Sequence, residues 1–172
     1  VVLGGTNAVG NLALGAYSQT LSSLTAVSTI SSMNNLTVAP GQALVISGTN
    51  GLFVGVDAGG SSTTLVKMSG GGALVITNAS ANVTVGKGQS DESGTGSGSL
   101  DLSELSSVTL GSSADPISEI RLSYGQMCSG TLTLSNTNNL LTATTLHVGN
   151  SLQLNAGTGT LVLGAGTNSL AV

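Results

Sequence analysis

The side chains able to do chemistry are few, and their spacing limits what they can do. His147 is the only histidine and Cys128 the only cysteine among 172 residues. A zinc site needs several His, Cys or carboxylate ligands at coordinating spacing. No second His or Cys stands near His147 in the sequence, so it reads as a solvated side chain pointing outward between inward Leu146 and Val148. A cysteine nucleophile needs a base, and the base needs a group to orient it. The repeat described below puts His147 about one unit beyond Cys128, within reach, but no third group accompanies the pair. Cys128 reads as a small buried hydrophobe, with an intermolecular disulfide as the alternative open to an odd Cys in an exported protein.

Asp101 and Glu104, in Leu100-Asp101-Leu102-Ser103-Glu104-Leu105, form a carboxylate pair. Glycosidases hold two carboxyl groups ~5–9.5 Å apart. Lys67 is expected beside Asp101 on one side and Thr133 on the other. Aromatic platforms for sugars are limited to Phe53, Tyr17 and Tyr124, so the pair reads as part of a solvating charged stripe. Asp115 and Glu119 flank Pro116 at an expected exposed corner, and Asp91 and Glu92 lie in a polar loop. Calcium requires several converging oxygens, and the Gly-rich aspartate nonapeptide of calcium-binding solenoids is absent; all four read as solvated charge. Gly59-Gly60 and Gly70-Gly71-Gly72 lack the Lys-Ser/Thr and the helix that follow a phosphate loop, and read as corners. Three sequons, Asn35-Leu36-Thr37, Asn78-Ala79-Ser80 and Asn82-Val83-Thr84, are candidate N-glycosylation sites, with Asn78 and Asn82 expected at a corner. No catalytic residue, metal site or cofactor is assigned, and the chain is read as a non-enzyme.

Composition points the same way. Lys and Arg total 3, Asp and Glu 7, for a net charge of −4, and charged residues make up 6% of the chain against about 25% in ordinary soluble domains. Three cations cannot neutralise a phosphate track, which excludes a nucleic-acid binder. One Cys excludes a disulfide scaffold. A 40% apolar content and a mean hydropathy of +0.40 exclude a charged disordered tail. No run of about 18 apolar residues is present, so no membrane insertion is expected. The opening Val1-Val2-Leu3-Gly4 looks like mid-strand, as in a processed or excerpted chain.

Apolar and small polar residues alternate over short stretches, the period of a strand. Three families of segments recur in strict order. The first reads Leu36-Thr37-Val38, Leu65-Val66-Lys67-Met68, Leu100-Asp101-Leu102, Leu132-Thr133-Leu134 and Leu152-Gln153-Leu154. The second reads Leu44-Val45-Ile46, Leu74-Val75-Ile76, Val108-Thr109-Leu110, Leu141-Thr142-Ala143 and Leu161-Val162-Leu163. The third reads Leu52-Phe53-Val54-Gly55, Val83-Thr84-Val85-Gly86, Ile120-Arg121-Leu122-Ser123, Leu146-His147-Val148-Gly149 and Leu170-Ala171-Val172. The first family starts at 36, 65, 100, 132 and 152, so loops absorb the variation, chiefly the Gly/Ser-rich stretch 86–97. The pattern predicts a right-handed parallel β-helix, or β-solenoid, with about three short strands per coil and five to six coils. One domain is expected, with residues 1–34 as less regular first coils and 35–172 as regular ones. A coil cannot bury its own core and must stack. The competing antiparallel sandwich calls for more aromatics and two-residue hairpin turns. Outward positions (Thr37, Val66 or Lys67, Asp101, Thr133, Gln153; and Phe53, Thr84, Arg121, His147, Ala171) form no Thr ladder, which argues against ice binding.

Gly130-Thr131-Leu132-Thr133-Leu134, Thr144-Thr145-Leu146-His147-Val148-Gly149-Asn150 and Gly157-Thr158-Gly159-Thr160-Leu161-Val162-Leu163-Gly164-Ala165-Gly166-Thr167-Asn168 resemble the strand repeats of autotransporter-type passenger domains and other large bacterial surface proteins. The resemblance covers 98–172 well and 35–97 loosely. It implies a secreted or cell-surface stalk, adhesin or matrix component. The expected function is therefore an extracellular structural solenoid that forms or extends a fibre, stalk or filament. An adhesin shaft with binding loops at 86–97 and 55–63 is the alternative, and a carbohydrate-active β-helix enzyme the third. Solenoid ends expose strand edges that template further pairing, and no cap is visible in the sequence at either end. The segment 161–172 resembles 1–9, so Val1, Val2, Leu3, Leu170, Ala171 and Val172 are the expected end-to-end assembly residues, the partners being further coils of the same kind and, where attached, glycans.

Overall fold

The computed structural model describes residues 1–5, 7–27, 31, 33–55, 63–87, 96–124, 128–150 and 157–172. Regular structure there is all strand, and every strand pairing is parallel. The first family builds a six-stranded sheet. Its strands are β2 (Asn11–Ala13), β4 (Met33–Thr37), β6 (Thr63–Ser69), β9 (Ser97–Asp101), β12 (Ser129–Thr133) and β14 (Thr158–Val162), stacked in that order. The second family comprises β7 (Ala73–Ile76), β10 (Ser107–Leu110) and β15 (Thr167–Ala171). The third comprises β1 (Val2–Leu3), β8 (Asn82–Lys87) and β11 (Ile117–Tyr124). Three strands run through both: β3 (Gln19–Ala26), β5 (Ala43–Val54) and β13 (Asn138–Asn150). The second and third faces thus join in one nine-stranded sheet that bends around the core. The architecture is the parallel β-solenoid that the repeat predicts.

Register stacks like residues into columns. On the second face Leu21, Ile46, Ile76, Leu110, Leu141 and Leu170 align. On the third, Leu24, Leu52, Val83, Ile120 and Leu146 align, and so do Leu3, Ala26, Val54, Val85, Leu122 and Val148. On the first, Val66, Leu100, Leu132 and Leu161 align. Away from the end coils these residues are at most 1% exposed. Each full burial of such a side chain is worth ~1.5–3 kcal/mol, and stacking supplies the covering surface.

The corner after the third strand repeats its backbone as well as its side chains. Gly55, Gly86, Ser123 and Gly149 have φ of 87, 78, 75 and 76°. Left-handed φ costs a residue with a Cβ ~1–2 kcal/mol. Ser123 is buried there, and its Oγ donates to the Cys128 carbonyl at 2.9 Å, which offsets part of that cost. The same corner packs flush against the first sheet: a Cβ on Gly130 would lie 2.2 Å from the Val85 oxygen and 2.4 Å from the Ser123 nitrogen.

Two inward columns carry amides. Asn34 is fully buried, accepts from Gly10 N at 2.7 Å and donates to Leu65 O at 3.0 Å. Asn139, 4% exposed, continues the column Leu44, Leu74, Val108 and donates to Asn168 of the next coil at 2.9 Å.

The last coil departs from the sequence reading. Of Leu161-Val162-Leu163, expected as a second strand, Leu161 and Val162 belong to the first sheet, with Leu132 opposite Leu161. Leu170-Ala171, expected as third strand, pairs Leu141-Thr142 on the second face. A short apolar triplet fits any of the three faces, and hydrogen-bond register chooses among them. The expected strand Leu152-Gln153-Leu154 lies outside the described residues. At the other end, β2 and β3 stack in register on β4 and β5, with one irregularity between Leu21 and Ser23. The likeness of 1–9 to 161–172 does not extend to conformation. Val2-Leu3 is a third-face strand, whereas Gly5 bridges Ala8 in a turn with Asn7 at φ 56°.

Candidate functional site

The end coils differ from the rest of the surface. Among the described residues, the exposed large hydrophobics are Val1, Val2, Val9 and Tyr17 at one end, Val148, Val162, Leu163, Leu170 and Val172 at the other, and Met33 alone between them. Inward members of the apolar columns become exposed there because nothing stacks on them: Leu170 is 50% and Val148 47% exposed, while Ile76 and Val85 in the same columns are at 0%. Among the described residues, β1 and β2 pair only with the coil above, and β14 and β15 only with the coil below. Of the expected assembly residues, Val1, Val2, Leu170, Ala171 and Val172 are exposed and Leu3 is buried. Charged side chains are absent from the first and last coils: Asp57 is the first and Arg121 the last Asp, Glu, Lys or Arg in the sequence.

The second cluster lies on the third face. Outward positions of adjacent coils place Arg121 beside His147, and Glu119 two residues from Arg121 on the same strand. Glu119 Oε1 accepts from Arg121 Nε at 2.9 Å and Nη2 at 2.5 Å, and lies 3.1 Å from His147 Nε2. The Arg121 guanidinium sits 3.9 Å from the Tyr124 ring centre, an attractive cation–π contact. Glu119 is therefore not the solvated corner charge expected from its place after Pro116. It lies within β11, its side chain 19% exposed, because strand alternation turns it to the same side as Arg121. His147 does point outward as predicted, but onto the Glu119 carboxylate of the neighbouring coil, 3.1 Å from its Nε2. The sequence carried a signal for this, since Ile120-Arg121-Leu122 and Leu146-His147-Val148 align as equivalent strands. Four side chains so engaged present a carboxylate, a guanidinium and an imidazole that satisfy one another.

The other candidates resolve into structural roles. Lys67 stacks beside Asp101, and Asp101 beside Thr133, as expected. Lys67 Nζ pairs with Glu104 at 2.5 Å, and Asp101 Oδ1 accepts from Ser103 N at 2.9 Å. The Glu104 hydrogen bond and charge, reinforced by Asp101, raise the Lys67 pKa above 10.5. The two carboxylates are thus directed to different partners rather than converging on a common point. Cys128 is 1% exposed, and its Sγ accepts from Gly96 N at 3.4 Å. That matches the buried-hydrophobe reading and removes the intermolecular disulfide from this conformation. Among the described residues no group of three His, Cys, Asp or Glu could hold a metal, and no helix is long and apolar enough to cross a membrane.

Of the sequon asparagines, Asn35 is exposed in mid-strand β4 and donates to Asn11 Oδ1 at 3.0 Å. Asn78 sits at a corner, donates to Ser47 O at 2.8 Å and accepts from Ser80 N at 2.8 Å. Asn82 is not at a corner but opens strand β8 opposite Glu119. The hydroxyl-rich outward positions also rearrange. Ser97, Ser129 and Thr158 form one row of the first sheet and Ser99, Thr131 and Thr160 the next, with Ser129 Oγ donating to Ser97 Oγ at 2.7 Å. The expected row members Gln153 and Ala171 are respectively outside the described residues and on the second face. The binding-loop stretches 56–62 and 88–95, with Asp91, Glu92, Gly59 and Gly60, also lie outside them.

These surfaces, on stacked coils with a continuous apolar interior, define a parallel β-solenoid repeat protein. No protein-family model, curated protein or solved structure matches the chain.

Proposed function

We propose that the chain is a structural solenoid: a shaft element of an extracellular fibre, stalk or matrix filament, akin in role to the autotransporter-type passenger domains its repeats resemble. The carrying observation is that the apolar columns run from coil to coil through the described residues, while the ionisable side chains described above are tied into ion pairs and turn hydrogen bonds. A side chain so engaged holds neighbouring coils together and has little left to bind or turn over a substrate. Such columns favour stacking of like coils, because each coil buries the apolar residues of the one beneath. Protease shaving of intact source cells tests the extracellular placement. Peptides of this chain are expected in the released fraction, and their recovery only after lysis would overturn the reading.

A further inference from the structure

Asn50-Gly51 is the single Asn-Gly pair in the chain, and it stands where β5 passes from the second face to the third. The strand keeps register with its neighbours up to Ile46, and again from Gly51 with the coil below and Leu52 with the coil above. Residues 47–50 between them take no register partner on either side. Ser47 ties the start of this corner: its Oγ donates to Leu21 O at 3.4 Å, and its carbonyl accepts from Asn78 Nδ2 at 2.8 Å. Beyond it Thr49 and Asn50 are exposed. Gly51 then turns under the next coil with φ 61°, where a Cβ would lie 2.0 Å from Asn82 O. Packing therefore demands glycine at 51. The same missing side chain leaves the Gly51 nitrogen open to the side chain that precedes it.

We propose that Asn50 is a site of spontaneous covalent modification, deamidating through a cyclic imide to aspartate and isoaspartate. Asparagine is among the thermolabile residues, and this corner removes the usual restraints on it. The Gly51 nitrogen attacks Asn50 Cγ; the N–Cγ bond forms and the Cγ–Nδ2 bond breaks. The nitrogen's proton leaves with Nδ2 as ammonia, and nothing is oxidised or reduced. Water then opens the imide. Hydrolysis at Cγ restores the main chain and leaves aspartate, whereas hydrolysis at the α-carbonyl routes the main chain through Cβ and leaves isoaspartate. Either product puts a carboxylate on a strand that holds no Asp, Glu, Lys or Arg. Other asparagines are held back. Asn78 Nδ2 donates to Ser47 O at 2.8 Å, Asn168 Nδ2 donates to the Gly164 and Gly166 carbonyls at 2.9 and 3.0 Å, and Asn139 is 4% exposed. Each is also followed by a residue with a Cβ, respectively Ala79, Ser169 and Leu140. The site does not depend on the shaft reading.

Peptide mass mapping of the full chain, aged in mildly alkaline buffer, tests the site. A corner without register partners opens at little free-energy cost, so the amide-to-acid mass shift at Asn50 is expected within about tenfold of its rate in the same chain unfolded in guanidinium. In the folded chain it is expected at least about ten times faster at Asn50 than at Asn78 or Asn168, whose amides must first leave their hydrogen bonds. An endoproteinase that cuts before aspartate but not before isoaspartate separates the two products, and both are expected. An unchanged Asn50 over the time in which the unfolded chain converts would overturn the proposal, as would equal rates at Asn50 and Asn78. Gly51→Ala removes the reactive pair but also drives a Cβ into Asn82 O, so the control keeps Gly51. Asn50→Gln, whose longer side chain closes the ring far more slowly, is expected to abolish the shift at residue 50 and to leave the thermal melt unchanged. A shift of the same size from that peptide in the Asn50→Gln protein would place the modification on another residue and overturn the proposal.

Discussion

The middle coils and the end coils are built from the same repeat but finished differently. Every Asp, Glu, Lys and Arg lies between Asp57 and Arg121, and both salt bridges to Lys67 and Arg121 fall there. The link from His147 back to Glu119 ties the last third-face strand to the one beneath it. The end coils have hydroxyls, amides and exposed aliphatic residues instead. A coil with fixed neighbours on both sides can place a charge where its partner is known. The charge does not simply mark closed stacking, since β4 and β5 have strands on both sides and carry no Asp, Glu, Lys or Arg.

Six substitutions, grouped by four effects, sharpen or break that contrast. The largest effect is expected from space at the interior corner. Gly130→Ala forces a Cβ to 2.2 Å from backbone, while Gly15→Ala near the first coil meets nothing within 4 Å and pays only for its φ of 69°. Chemical denaturation should show a loss above ~4 kcal/mol for the former, among the severe single changes, and ~1–2 kcal/mol for the latter. Comparable losses would mean that the ends are as tightly determined as the middle. Next comes the hydrophobic core: Leu74→Ala, at a fully buried site, should cost ~2–5 kcal/mol. Leu170→Ala, half exposed, should cost under ~1 kcal/mol.

The third effect is electrostatic. Glu119→Gln leaves the Arg121 guanidinium, with its side chain 20% exposed, without its carboxylate. A loss of ~1–3 kcal/mol is expected, and the variant's stability should depend less on salt than the parent's. The smallest effect concerns Lys67. Its pKa is raised in the folded chain by the hydrogen bond to Glu104. A group whose folded pKa lies above its unfolded value stabilises fully below the unfolded value, here 10.5, and loses that contribution as pH rises through the folded one. Lys67→Met should therefore narrow the gap in Tm between neutral solution and pH above 10.5. An identical alkaline drop in both proteins would assign it to other groups.

The repeat was legible because its cause is local. Leu44-Val45-Ile46 and Leu74-Val75-Ile76 alternate on their own, and the glycines after Val54, Val85 and Val148 mark a corner that needs positive φ. The ion-pair cluster was half legible: the alignment that stacks Arg121 on His147 was visible, but Glu119 was misread because a proline three residues before it suggested a turn. The final coil was misassigned because Leu161-Val162-Leu163 and Leu170-Ala171-Val172 carry no mark of which face they occupy. Its strands are identified only through the partners below them, Leu132 for Leu161 and Leu141 for Leu170.

By itself, then, the sequence determined a stack of short parallel strands with an aliphatic interior, because strand period and the backbone demands of glycine corners act within a few residues. Tertiary structure decided the phase of the coils, the bending of β5 and β13 around a corner as single strands, and the pairing of Glu119 with His147. Those features depend on inter-coil hydrogen-bond register, which connects residues some thirty positions apart and is set only when one coil settles on the next.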